Sequence, residues 1–114
     1  MKIAAARLYR QIQPFAAGPY VCRGHAEDGF DSSIVALMAE DGTIGWGEAA
    51  PLGAFYAEAF PEAIRAGITR LLPDVVGQRA DAPARLADHL NDLMFGQPAV
   101  KSAIDMAAWD LAAR

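Results

Sequence analysis

The chain has one cysteine, Cys22, and two histidines, His25 and His89, in 114 residues. A lone thiol forms no intrachain disulfide, and these three scattered side chains make no metal motif, so the fold must rest on its apolar core. A reducing compartment, the cytoplasm, is the expected location. Positive charge is also scarce, with Lys plus Arg 10 against Asp plus Glu 14 and a formal net charge of -4. Without a basic run, nucleic acid is not an expected partner. No apolar run approaches the roughly 18 residues of a membrane span. Arg7 and Arg10 interrupt what would have to be the apolar part of a signal peptide, so no membrane partner is expected either.

What is present suits a single domain, since 54% of the residues are hydrophobic and a chain of this size buries roughly two-thirds of its unfolded surface. Residues 2–13 alternate loosely and stop at Pro14, as a strand does. Residues 15–32, with three glycines and a Gly18-Pro19 step, carry no sustained period and predict a long loop. Such loops in compact domains are often functional. Residues 33–40 and 43–50 flank Asp41-Gly42, which predicts a hairpin with a two-residue type I′ turn. That turn pairs Glu40 with Thr43, Leu37 with Trp46 and Val35 with Glu48. Gly45 and Gly47 then fall opposite Met38 and Ala36, leaving a nearly bare face that another element can approach closely. The first hairpin strand is apolar on both faces, which predicts cover on both sides of the sheet.

Three helices are expected after the strands. Pro61 starts one with Ile64, Ile68, Leu71 and Leu72 on a single stripe. Asp81 is placed to cap a second, with Leu86, Leu90 and Leu93, ending at Gly96. Pro98 starts the third, whose stripe is Val100, Ala103, Ile104, Ala107 and Leu111. Trp109 and Met106 fall on its opposite side, so this helix has two apolar faces and needs a second partner. It also reaches Arg114 without a stop signal, which predicts that a larger protein continues. The fold class is α+β, a three-stranded antiparallel meander followed by three helices.

The hairpin with Gly45-Trp46-Gly47-Glu48 and Pro51, the helix ending in Leu71-Leu72-Pro73, and the closing segment from Lys101 to Leu111 occur in the order of a known family. In them the chain resembles the N-terminal capping domain of the enolase superfamily, in its mandelate racemase and muconate lactonizing enzyme branch, over essentially its whole length, residues 1–114. The resemblance implies a parent enzyme, an isomerase or lyase, that removes the proton α to a substrate carboxylate and uses Mg²⁺ to stabilise the enediolate. It also implies the partners: the parent's own catalytic barrel, a small carboxylate substrate and further copies in a homo-oligomer. A barrel takes about 200 residues or more, so the resemblance places no catalytic residue and no metal ligand in this chain.

What it assigns to the capping domain is substrate recognition through two loops, here about 15–32 and 50–60, that close over the barrel mouth and exclude water. The candidates for substrate contact are Tyr56, Tyr20, Phe55, Pro51, Gly53 and His25. Tyr56 can line a pocket or fold back onto the first helix, and Tyr20 can do the same or stand on the surface. Phe55 also reads as a packing residue, and Pro51 and Gly53 as turn-shaping ones. A solitary His25 reads most simply as solvated. Glu48 lacks the companion carboxylates that Mg²⁺ needs, so a structural salt bridge or loop hydrogen bond is expected of it. Asp105 and Asp110 lie about 140° apart on their helix and form no pair. The small and aromatic loop residues suit an amino-acid or proline derivative, with acid sugars an alternative. Another reading of the chain is a stand-alone oligomerisation or binding module without catalysis.

Overall fold

The computed structural model describes residues 1–114. Strands β1 (Ile3–Pro14), β2 (Tyr20–Cys22), β3 (His25–Glu27), β4 (Gly29–Ala39) and β5 (Ile44–Ala49) precede helices α1 (Pro61–Val75), α2 (Pro83–Leu93) and α3 (Pro98–Ala113). An antiparallel sheet runs β1-β4-β5, and β2-β3 is a separate two-stranded sheet. The expected α+β class holds, with a small hairpin inserted into the meander.

The predicted loop 15–32 is thus more ordered than expected. β2 and β3 turn at Arg23 and Gly24, both at positive φ, and β4 starts at Gly29 rather than Ser33. The run Asp31-Ser32-Ser33 is polar for an interior strand. The first two are answered by partners distant in sequence: Arg10 and Arg65 clasp Asp31, and Gln13 donates to Ser32 Oγ at 3.1 Å, while Ser33 Oγ is buried without a partner.

The hairpin register differs by one residue from the predicted one. Ala36 faces Trp46, Leu37 faces Gly45, Val35 faces Gly47 and Ile34 faces Glu48. The Gly42 N–H donates to the Ala39 carbonyl at 2.9 Å and the Ala39 N–H to the Thr43 carbonyl at 2.8 Å. The turn therefore holds three residues and ends on Gly42 at φ +88°, the geometry in which a left-handed glycine forms a bulge. A one-residue slip transfers every β5 side chain to the other face. Here it moves Trp46 and Glu48 out of the core and brings Gly45 and Gly47 in.

Those two glycines accept α3. A Cβ at Gly47 would overlap the Ala103 carbonyl, and one at Gly45 would overlap the backbone between Ala107 and Leu111. With alanines on the helix side, backbone meets backbone, and the bare face expected from sequence is the seat of the third helix. Asp110 completes the contact by accepting the Trp46 N–H of this edge strand at 2.9 Å and the Arg114 guanidinium at 3.1 Å. These two donors hold its carboxyl below the usual value. Val35, Leu37, Ile68, Leu71, Leu86, Leu90, Val100 and Ile104 are buried between the sheet and the helices. The other sheet face carries Tyr9, Ile44 and Trp46, all exposed, with the Tyr9 and Trp46 rings 6.2 Å apart. Only one of the two predicted covers lies within the chain.

Asp81 does not cap α2. The helix starts at Pro83 after Ala82 and has no side-chain cap, while the Asp81 carboxylate takes a bidentate contact from Arg79 at 2.7 and 2.8 Å. That charge-assisted pair satisfies both oxygens better than one backbone amide would, and it lowers the Asp81 carboxyl to about 2.

Asp31 ties three elements together, accepting from Arg10 of β1 at 2.9 and 3.0 Å and from Arg65 of α1 at 2.8 and 3.3 Å. The hydrogen bond from Arg10 holds its carboxyl below the ordinary 3.8 against the opposing effect of burial, and Arg65 adds to the lowering. A carboxylate whose folded value is depressed contributes stability above its unfolded value, and that contribution disappears as pH falls through the folded value. Asp31→Asn should therefore lower the denaturant midpoint at pH 7 and narrow the gap to the parent as pH drops below about 4, measured by urea unfolding across pH. An equal deficit at pH 7 and pH 2.5 would contradict this account.

Candidate functional site

β5 ends at Ala49, and the chain then runs without regular structure to Pro61, where fixed φ starts α1. On the other side of the sheet end, Phe15 to Pro19 leads into the β2-β3 hairpin. These two segments converge. The His25 and Phe55 rings stack in parallel at 4.2 Å with 5° between planes. A Cβ at Gly53 would meet Glu27 Oε1 at 2.7 Å and the Phe55 ring at 2.9 Å. The hairpin and the 50–60 segment are thus packed on one another, and the space between them and the sheet is a cavity of about 840 Å³.

Four of the six candidate contact residues, Tyr20, Tyr56, Pro51 and Gly53, line this cavity. Tyr56 is 60% exposed, so it has not folded back onto α1. Phe55 and His25 lie outside the lining and stack on each other, and His25 is exposed to solvent, as the simplest reading of it expected. The sequence reading gave no cavity role to Phe15 and Phe30, whose rings meet edge to face at 5.1 Å, or to Met106 of α3. Phe30 falls in the segment 15–32 that the lack of period predicts to be a loop. Extending the even-numbered alternation of β4 back from Ile34 through Ser32 would have placed it on the same face as Gln13.

Glu48 also lines the cavity. It accepts a short hydrogen bond from Gln13 Nε2, so the hydrogen-bonded outcome holds and the salt bridge does not. No group of three or more His, Cys, Asp or Glu side chains comes together anywhere in the chain; these residues do not fit a Mg²⁺ site. No helix is long and apolar enough to cross a membrane. α3 has the two faces expected of it: Val100, Ala103, Ile104, Ala107 and Leu111 are buried, while Met106 and Trp109 are half exposed.

The model of the mandelate racemase / muconate lactonizing enzyme N-terminal domain matches residues 10–114. The chain belongs to this family. Among curated proteins, the N-terminal domain is 30% identical over 112 residues to the cis-3-hydroxy-L-proline dehydratase of Roseibium aggregatum, and 28% identical over 111 residues to the N-succinyl-L-Arg/Lys racemase of Bacillus cereus. Each comparison covers 97% of this chain and 30% of the relative, so the chain spans under a third of the length of the enzymes that it matches. Among solved structures, it superimposes on a mandelate racemase/muconate lactonizing enzyme from Roseovarius nubinhibens with a TM-score of 0.92 at 29% identity, covering 97% of this chain and 30% of that one. A member of the enolase superfamily from the same organism, complexed with magnesium, gives 0.88 at 31% with the same coverage. The N-terminal domains of this family thus share the antiparallel meander and three helices described above.

Proposed function

We propose that residues 1–114 form the capping domain of an enzyme that removes the proton α to a carboxylate, and that the two packed segments form the lid of its active site. The observation that carries this reading is their convergence on one apolar cavity, to which one segment contributes Tyr20 and the other Tyr56. A lid of this composition excludes water, and a dry site strengthens every electrostatic interaction at the reacting carbon. Tyr20 and Tyr56 supply aromatic faces to position substrate and hydroxyls to orient its polar groups. Mg²⁺ would stabilise the developing enediolate, with ligands outside these residues. The half-exposed Met106 and Trp109 side of α3 suits the contact with a catalytic barrel, whose packing would bury both.

The test is proton exchange. The intact protein, purified with Mg²⁺ and incubated in D₂O with a panel of α-substituted carboxylates including cyclic amino acids, should incorporate deuterium at the α carbon of at least one. Exchange should stop on chelation. A panel spanning amino acids, their N-acyl derivatives and acid sugars that shows no exchange would overturn the reading.

A further inference from the structure

The β2-β3 hairpin turns on two residues, Arg23 and Gly24, both at positive φ, which fixes its register: Tyr20 pairs with Glu27 and Cys22 with His25. Cross-strand partners share a face, as do residues two apart in a strand. Tyr20, Cys22, His25 and Glu27 therefore stand on one face of the hairpin, and Val21, 67% exposed, stands on the other. The first face meets the 50–60 segment. Glu27 rests against Gly53, whose φ of +148° and missing Cβ allow the approach, and the His25 ring lies flat on Phe55, 5° from parallel. Each partner of the stack is tied to one cavity tyrosine: His25 shares its face with Tyr20, and Phe55 directly precedes Tyr56. No backbone hydrogen bond joins residues 16–27 to residues 50–60, so contacts made by side chains hold the two segments together.

We propose that the His25-Phe55 stack is a positioning contact, which joins the two segments into one moving body and sets the spacing between Tyr20 and Tyr56. The inference rests on the reading of the segments as a lid and adds what couples them. A two-stranded hairpin by itself is only marginally stable in water. This one is anchored at its base, where the Phe15 N–H donates to the Asp28 carbonyl at 2.8 Å, and its far end takes its orientation from what its side chains lie on. Flat rings lose contact area when either one slides or tilts, whereas a surface of small side chains would let the hairpin drift. With the stack intact the two tyrosines keep one separation; without it, each segment opens on its own.

Limited proteolysis of the intact protein tests the coupling, because cleavage of a native chain follows its local opening. The signature is reciprocal. Phe55→Ala should speed tryptic cleavage after Arg23 by roughly two- to tenfold, the effect of losing one aromatic pair, and His25→Ala should speed chymotryptic cleavage after Tyr56 by as much. His25→Tyr, which keeps a flat ring, should restore the original rate, and Val21→Ala should leave cleavage at Tyr56 unchanged. Melting temperatures should stay constant, since both rings lie outside the core. Acceleration confined to the segment that carries the substitution, no acceleration in either, or an equal effect of Val21→Ala would overturn the proposal. In parallel, kcat/KM for the best exchanging carboxylate should fall with His25→Ala and recover with His25→Tyr. Coupled cleavage with unchanged kinetics would instead sink the lid reading and leave the joining of the two segments by the stack standing.

Discussion

Gly47→Ala is expected to destabilise the domain by about 3 kcal/mol, and Gly47→Val to prevent folding. The added Cβ would overlap the Ala103 carbonyl, and backbone at that point cannot rotate away as a side-chain tip can. Relief would require α3 to lift from β5, separating Ala103, Ala107 and Leu111 from a core in which they are buried. Overpacking a filled interior usually costs about 1–3 kcal/mol, and a contact with main chain belongs at the upper end. The companion measurement is Trp46→Ala. In the observed register Trp46 is on the outer face and half exposed, so its loss should cost about 1 kcal/mol. In the two-residue-turn register it would stand in the core, where truncating a Trp costs about 3–5 kcal/mol. Urea midpoints of the two variants thus test both the seat of α3 and the hairpin register. A mild Gly47→Ala together with a severe Trp46→Ala would refute the arrangement.

Tyr56→Ala in the intact enzyme should lower kcat/KM by roughly 10- to 100-fold, while Mg²⁺ affinity and melting temperature change little. Tyr56 is 60% exposed within the domain and faces the cavity, so it contributes little to folding and is available to a substrate. Loss of an aromatic wall removes about 1 kcal/mol of contact, and poorer alignment at the reacting carbon can cost about a further factor of ten or more. Steady-state kinetics on the best exchanging carboxylate, with Mg²⁺ titrated independently, checks this. Unchanged kinetics across the panel would remove Tyr56 from the site. By contrast, Phe55 and His25 stack outside the lining, and substitutions there would act through the packing of the two segments on one another rather than through contact.

Much of this was legible along the chain. The stripe Ile64, Ile68, Leu71 and Leu72 marks α1 because an apolar repeat of 3.6 residues has one face to bury, and Pro61 and Pro98 begin their helices because proline at the first position gives up no hydrogen bond. The second face of α3, with Met106 and Trp109, followed from the same arithmetic. Tyr20, Tyr56, Pro51 and Gly53 lie in stretches without period, to which the resemblance to the family assigns substrate recognition. Local chemistry settles such features, since the interactions responsible span only a few residues.

Tertiary structure decided the rest. Asp41-Gly42 permits a two-residue or a three-residue turn, and the choice went to the register that turns Gly45 and Gly47 toward a helix more than fifty residues away. β4 could extend through Asp31, Ser32 and Ser33 only because Arg10, Arg65 and Gln13 meet the first two there. Asp81 gave up its capping place to Arg79 once Pro83 had started the helix. The cavity itself, with Glu48 its only charge, exists because β5 turned that carboxylate away from the core and the His25-Phe55 stack brought two separate segments together. Sequence alone determined which segments are helical and that residues 33–50 form a hairpin, with an irregular stretch after it. Which face each β5 residue presents depended on packing against α3, because adjacent registers differ little in local energy and only the distant partner separates them.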